Sequence, residues 1–196
     1  DGSIYYSITT FPGYGKLSGV RPEENLVGAR VDNEEYEKDD ARDFVLWKAA
    51  KAGEPSWPSP WGSGRPGWHI ECSAMSKALL GEQLDIHCGG VDHIDVHHTN
   101  EIAQSEAAYE KQFFNYWMHN GFVTVNGEKM SKSLNNITLI KDLTDSYKGE
   151  VIRLTLLSSH YRQGLDWNES IIHQSEKLLD KLYKILSDES INSAFT

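Results

Sequence analysis

Apolar positions come in short runs broken by turn residues through the first half of the chain and settle into helical spacing towards its end. SIYYSI (residues 3–8) is apolar and β-prone, and FPGYGKLSG (11–19) is dense in turn formers. Residues 1 to about 40 therefore read as short strands and turns. ARDFVLWKAAK (41–51) reads as a short helix ended by Gly53 and Pro55. GEPSWPSPWGSGRPGW (53–68) holds four prolines and four glycines in sixteen residues, a density of breakers that predicts no regular element. Its tryptophans, Trp57, Trp61 and Trp68, predict a loop ordered by aromatic packing, since a plain linker would be polar.

HIECSAMSKALLG (69–81) reads as a helix. LDIHCGG (84–90) has the form of a buried parallel strand whose C-terminal edge faces a site. HHTNEIAQSEAAYEK (97–111) reads as a helix, and NYWMHNGFVTVNGE (115–128) as a strand with a tight turn at Asn126-Gly127. Strands alternating with helices predict an open α/β sheet. After Ser133 the pattern turns helical. DWNE (166–169) has the spacing of a capping box, with Asp166 accepting from the backbone and Glu169 reaching back. Ile171, Ser175, Leu178, Leu182 and Ile185 then share one helix face, widened by Leu179 and Leu186, with no obvious partner in the chain.

The 196 residues suit one medium domain or a domain with appendages, and 39% hydrophobic with 24% charged residues fits a soluble globular class. No apolar run has the length of a membrane span, and no leader pattern is present. The opening DGSIYYS, without Met, and the unpartnered terminal stripe point to a processed chain or a piece of a longer one. Two cysteines, Cys72 and Cys88, are too few for a disulfide framework and suggest a reducing compartment or a metal or catalytic role. A net charge of −10 argues against a chain-wide nucleic-acid footprint. Half of that charge sits in DNEEYEKDDARD (32–43), with seven acidic and two basic residues, which reads as a solvated loop or hinge.

His97 and Glu101 are four apart, so a helix places them on one face where both can hold one zinc ion. His98 would point about 100° away from that face. The plainer reading is an exposed helix start with a charge pair. Cys72 supplies a third ligand if it is not simply a small buried residue, and Cys88 is the competing thiol. KMSKS (129–133), directly after the Asn-Gly turn, sets Lys129 and Lys132 three apart among serines. That arrangement suits a mobile phosphate clamp, with an exposed basic loop as the alternative.

RPGWHIECSAM, DIHCGGVDHIDVHHTNEIAQSEA, YWMHNGFVTVNGEKMSKSLNN and LLSSHYRQGLDW together resemble class I aminoacyl-tRNA synthetases, specifically the cysteinyl-tRNA synthetases. The likeness is collinear and runs over nearly the whole chain. It implies an α/β fold: the second half of a Rossmann-like catalytic domain, with part of the connecting insertion and the start of an α-helical domain. The implied boundaries are 1–66 for the end of the insertion and the Trp/Pro/Gly loop and 67–136 for the catalytic half. Residues 137–165 would be the stem-contact region, and 166–196 the first helix of the anticodon-side domain.

The resemblance implies zinc held by Cys72, His97, Glu101 and a further cysteine. That cysteine precedes a His-x-Gly-His ATP motif, and neither is in this chain. Trp68 would line the cysteine pocket, with His87 and Asp92 near the substrate's ammonium and sulfur. Lys129, Met130, Ser131, Lys132 and Ser133 would bind ATP, with Lys132 and Lys129 catalytic. The implied partners are L-cysteine, ATP with Mg2+ and cysteine tRNA, acting on a cytoplasmic monomer without a membrane. Two departures from the family pattern are Cys88, where glycine is more usual, and VDHIDVHHTNE in place of a Pro-His-His-Glu-Asn-Glu run. Alternatives are a mycothiol-pathway cysteine ligase and a non-catalytic zinc-stabilised module; a zinc peptidase is disfavoured, because the chain has no His-Glu-x-x-His.

The isolated 196-residue chain is expected not to form adenylate, and cysteine-dependent pyrophosphate–ATP exchange above background would contradict this. Cys72→Ser is expected to weaken zinc binding far more than Cys88→Ser. Equal zinc content in the two purified variants would count against the ligand assignment.

Overall fold

The computed structural model describes residues 2–19 and 42–187, in two compact units, Asp1–Met118 and His119–Thr196. Most of the acidic run at 32–43 lies outside the described residues. Its last member, Asp43, is buried and accepts the Ile8 backbone N–H at 3.0 Å.

The first unit opens with an antiparallel sheet of β1 (Ile4–Tyr6), β2 (Phe44–Ala49) and β3 (Gly64–Pro66), ordered β1-β2-β3. Tyr6 lies opposite Phe44, and Trp47 opposite Pro66. Both assignments differ from the sequence expectation. FVLWKA is a strand, not a helix, because its valine and aromatic residues suit a pleated surface and both its edges find partners. A short strand also survives in the Pro/Gly-rich segment, where Pro66 takes its last position. Aromatic packing is not what orders that segment: Trp57 and Trp61 are more than half exposed. Backbone bonds do so, with Trp57 donating to Gly64 at 2.7 Å, Gly64 returning to Trp57 at 3.0 Å, and Gly62 donating to Ser59 at 3.1 Å.

Helix α1 (Trp68–Leu80) follows, then β4 (Leu84–Gly90), a 3-10 turn (Val91–His93), a π-helical turn (Ile94–His98) and α2 (Thr99–Tyr109). β5 (Phe114–Asn120) pairs with β4. β4 is not the buried strand expected: its residues are half-buried or exposed, since β5 is its one hydrogen-bonded neighbour among the described residues. α1 packs on α2 through a polar seam. Gln104 donates from Nε2 to the His69 carbonyl and to Ser73 Oγ, both at 2.6 Å, and Ser105 Oγ donates to Ser73 Oγ at 2.9 Å.

In the second unit, β6 (Val123–Val125) and β7 (Glu128–Lys129) form a hairpin. Asn126 and Gly127 take φ of 51° and 80°, the left-handed pair that a two-residue turn of this hand needs. α3 (Ile140–Ser146) and α4 (Gly149–Leu157) lead to β8 (Leu165–Trp167), which runs parallel to β6. This strand was not expected in a stretch read as helical. It also displaces the capping box. Asp166 sits in β8 and accepts from Gly127 N–H at 2.6 Å and Thr124 Oγ1 at 2.8 Å, whereas Asn168 Oδ1 caps α5 (Glu169–Ser187) by accepting from Ile171 N–H at 3.0 Å.

Val151, Ile152, Leu165, Trp167 and Ile172 form the core of this unit. α4 covers the first turns of the apolar stripe on α5, so that part does have a partner in the chain, while Leu178, Leu182, Ile185 and Leu186 remain largely exposed.

Asn168→Ala is expected to cost about 1 kcal/mol of stability, with Asn168→Asp and Glu169→Ala near neutral. Urea unfolding of the three variants checks this, and a larger loss in Glu169→Ala would restore the capping-box reading.

Candidate metal centre

α1 begins at Trp68, so Trp68 and His69, four and three residues before Cys72, stand one helical turn below it. The π-helical turn hands the chain to α2, carrying His97 and His98 into the seam and Glu101 one turn on. Ligand atoms of Cys72, His97 and Glu101 lie within 4.8 Å of one another. His97 and Glu101 are buried, and Cys72 is half-buried.

His98 does not point away as a regular helix would send it. It is 2% exposed and, with His87 from β4, forms a second group around the same Glu101, again within 4.8 Å. The cause is the π turn, whose i→i+5 bonding widens the helix and swings both histidines inward. Gly89 makes room for this: a Cβ there would collide with the His98 ring.

The two carboxylate oxygens of Glu101 have different surroundings. Oε2 is 2.7 Å from His87 Nε2 in a hydrogen bond. Oε1 is 2.8 Å from His97 Nε2, yet the ring does not aim an N–H along that line, and Oε1 is left buried without a hydrogen bond. Such a group is costly unless something else satisfies it. Burial would raise the Glu101 pKa, but the bond from His87 and the nearness of His97 overcome it and hold the carboxyl down to about 2. Cys72 moves the other way: burial first, then the charges of Glu101 and Glu71, push its thiol up. A bound cation reverses that pressure and favours the thiolate. A sulfur, an imidazole nitrogen and a carboxylate oxygen within 4.8 Å of one another form the donor set that zinc takes, and the orphaned Oε1 stands 2.8 Å from His97 Nε2.

Trp68 stacks on His97 with centroids 4.3 Å apart, while over half of its surface stays exposed. His87 stacks on Phe114 at 4.3 Å and commits Nε2 to Glu101. Asp92 is exposed and 3.9 Å from His93, whose ring packs against Trp68 and His97. Cys88 is exposed and joins neither ligand group.

The lysine loop lies in the second unit. Lys129 and Lys132 are exposed, and neither has an ion-pair partner among the described residues. Asn136 staples the loop: Oδ1 accepts from Ser131 N–H at 2.8 Å, and Nδ2 donates to the Lys129 carbonyl at 3.1 Å. Sequence reading did not single out Asn136 or His69, and it turned His98 away from the site. The Asn-Asn pair after the loop was the available signal for the first; the others lay beside residues already chosen.

A family model described as the catalytic domain of class I tRNA synthetases (C) matches residues 1–177. The chain is similar to the cysteine–tRNA ligase of Halorhodospira halophila, at 55% identity over 186 residues, covering 95% of this chain and 40% of that protein. It is also similar to that of Thermodesulfovibrio yellowstonii, at 56% over 184 residues, covering 94% and 38%. It thus spans about 40% of the length of the curated relatives it matches. Among solved structures, it resembles the LeuRS of the Agrobacterium radiobacter LeuRS–tRNA–LeuAMS ternary complex. The TM-score is 0.52 at 17% identity, over 67% of this chain and 21% of that one, a likeness of fold alone.

The Glu101 carboxyl lies below its usual range, so its charge contributes stability above about pH 4.5 that is lost as pH falls towards 2. In metal-free protein, the stability gap between wild type and Glu101→Gln is expected to shrink across that interval. A gap independent of pH in denaturant titrations would contradict the assignment.

Proposed function

The chain belongs to the class I tRNA synthetase (C) catalytic-domain family, and on that premise we propose that the protein carrying it is a cysteine–tRNA ligase. It activates L-cysteine with ATP and Mg2+ to cysteinyl-adenylate and transfers the cysteinyl group to the 3′ end of cysteine tRNA. The observation that carries this reading is the meeting of Cys72, His97 and Glu101 around an unsatisfied buried oxygen. The names of the relatives support tRNA charging and lend nothing to an amino-sugar ligase or a non-catalytic module.

Cysteine differs from serine by sulfur for oxygen, and an apolar pocket separates such near-isosteres by only about 1–3 kcal/mol. When bound, zinc supplies a borderline-soft acceptor that takes thiolate in preference to hydroxyl. The chain's own residues prepare for it. His87 holds Oε2 of Glu101 and so leaves Oε1 beside His97 and free for a cation. Cys72 is the half-exposed member, which makes its side the open one for substrate. The Trp68 ring walls the site over His97, and Asp92 offers a negative charge to the substrate's ammonium.

In activation, a carboxylate oxygen of cysteine attacks the α-phosphorus, and the bond to pyrophosphate breaks in line. Lys132 and Lys129 stabilise the charge on the phosphates, with Met130, Ser131 and Ser133 completing the ATP-binding loop. Their freedom from ion pairs among the described residues leaves both cations available to phosphate.

Residues 1–66 are then the end of the connecting insertion and 67–136 the second catalytic half. Residues 137–165 are the stem-contact region, and 166–196 begin the anticodon-side domain. No helix among the described residues is long and apolar enough to cross a membrane, and we place the protein in the cytoplasm as a monomer.

Charging of cysteine tRNA, and not of serine, by the protein carrying this chain tests the reading, and its absence would sink it. Lys132→Ala in that protein is expected to slow cysteine-dependent pyrophosphate–ATP exchange by about 100-fold or more with zinc content unchanged. An unaltered rate would remove Lys132 from the phosphate site.

A further inference from the structure

An imidazole can offer one nitrogen to a cation only if the other carries the proton, and the partner of that second nitrogen decides which is which. The two ring nitrogens of His97 have distinct neighbours. Nε2 faces Glu101, 2.8 Å from Oε1. Nδ1 is 2.8 Å from Nδ1 of His69. One hydrogen serves that pair. If His97 Nδ1 holds it, His69 Nδ1 accepts, His69 carries its own proton on Nε2, and His97 Nε2 presents a bare lone pair towards Cys72 and Glu101.

We propose that His69 is a positioning residue that holds His97 in its Nδ1-protonated tautomer and thereby sets the affinity of the Cys72/His97/Glu101 group for zinc. The proposal rests on the ligand assignment made above. His69 is not itself within either ligand group.

His69 is well held for this task. It is 9% exposed, and its ring meets Phe44 edge-on at 5.4 Å and Trp68 in a stack at 5.5 Å. Its backbone carbonyl accepts from Gln104 Nε2 at 2.6 Å, and the same amide donates to Ser73 Oγ. Gln104 stands on α2 one turn beyond Glu101, so this bond fixes the helix carrying His69 against the helix carrying the carboxylate. A ring held on three sides in this way can specify a proton position on its neighbour.

The test compares His69→Asn with His69→Leu in the protein carrying this chain. Asparagine keeps an acceptor at the δ position; leucine fills space but cannot accept. Zinc affinity is read by competition with a chromophoric chelator. The tautomer of His97 is read in zinc-free protein from its ring 15N shifts, at a pH above the usual imidazole range. His69→Leu is expected to weaken zinc about 10- to 100-fold and to give His97 a mixture of tautomers. His69→Asn is expected to stay close to wild type in both.

Equal zinc affinity in the two variants, or a wild-type His97 protonated on Nε2, overturns the proposal. If His69→Leu does not fold, the wild-type tautomer and the His69→Asn affinity still decide. Cys72→Ser separates the two levels. Zinc lost there but kept in His69→Leu defeats the tautomer role alone, while zinc kept in Cys72→Ser defeats the ligand assignment.

Discussion

A carboxylate taken almost wholly out of water is the constraint around which the first unit is built. Glu101 is 1% exposed, and leaving such a charge without a partner costs several kcal/mol. The surrounding residues answer that cost unequally. His87 satisfies one oxygen with a 2.7 Å bond, and His97 approaches the other without bonding it. The imbalance leaves one oxygen beside an imidazole and without a hydrogen bond, where a cation would complete it. The histidines carried by β4 and the π turn surround that carboxylate, and Gly89 gives the His98 ring the room to do so.

The helix seam beneath the site is polar where an ordinary core would be apolar. Ser73, Gln104 and Ser105 are buried and bonded to one another, and Asn100 accepts from Tyr14 Oη at 2.6 Å. Tyr6 Oη donates to the Ala103 carbonyl at 3.1 Å, tying α2 to the opening strand. A buried network of this kind is directional even though Gln104 Oε1 is left without a hydrogen bond, so it fixes the angle of α1 against α2 in a way that interlocking leucines would not. Ligand atoms that must meet within a few ångströms depend on that angle. The opening sheet, expected to belong to the end of the connecting insertion, thereby helps to position the site.

Much of the site was legible because local spacing determines it. His97 and Glu101 needed only a helical period, and Asn126-Gly127 needed only the left-handed turn that its residues favour. What escaped depends on partners distant in sequence. FVLWKA has the composition of a strand or a helix until the edges of β1 and β3 settle it. His98 turns inward because one turn is π rather than α, which no residue count along HHTNE reveals. Asp166 has the local spacing of a cap, but β8 takes it into the hairpin's bonding by pairing with a strand some forty residues earlier. His69 adjoins Trp68 in the sequence, but its significance lies in a contact 28 residues away.

The central claim is that the Cys72, His97 and Glu101 group selects its substrate through sulfur. X-ray absorption at the zinc edge, on the zinc-loaded protein carrying this chain, tests it most directly. The expected result is one additional sulfur neighbour, at about 2.3 Å, when L-cysteine is added and none when L-serine is added. A metal shell that is the same with cysteine, with serine and with neither would contradict it.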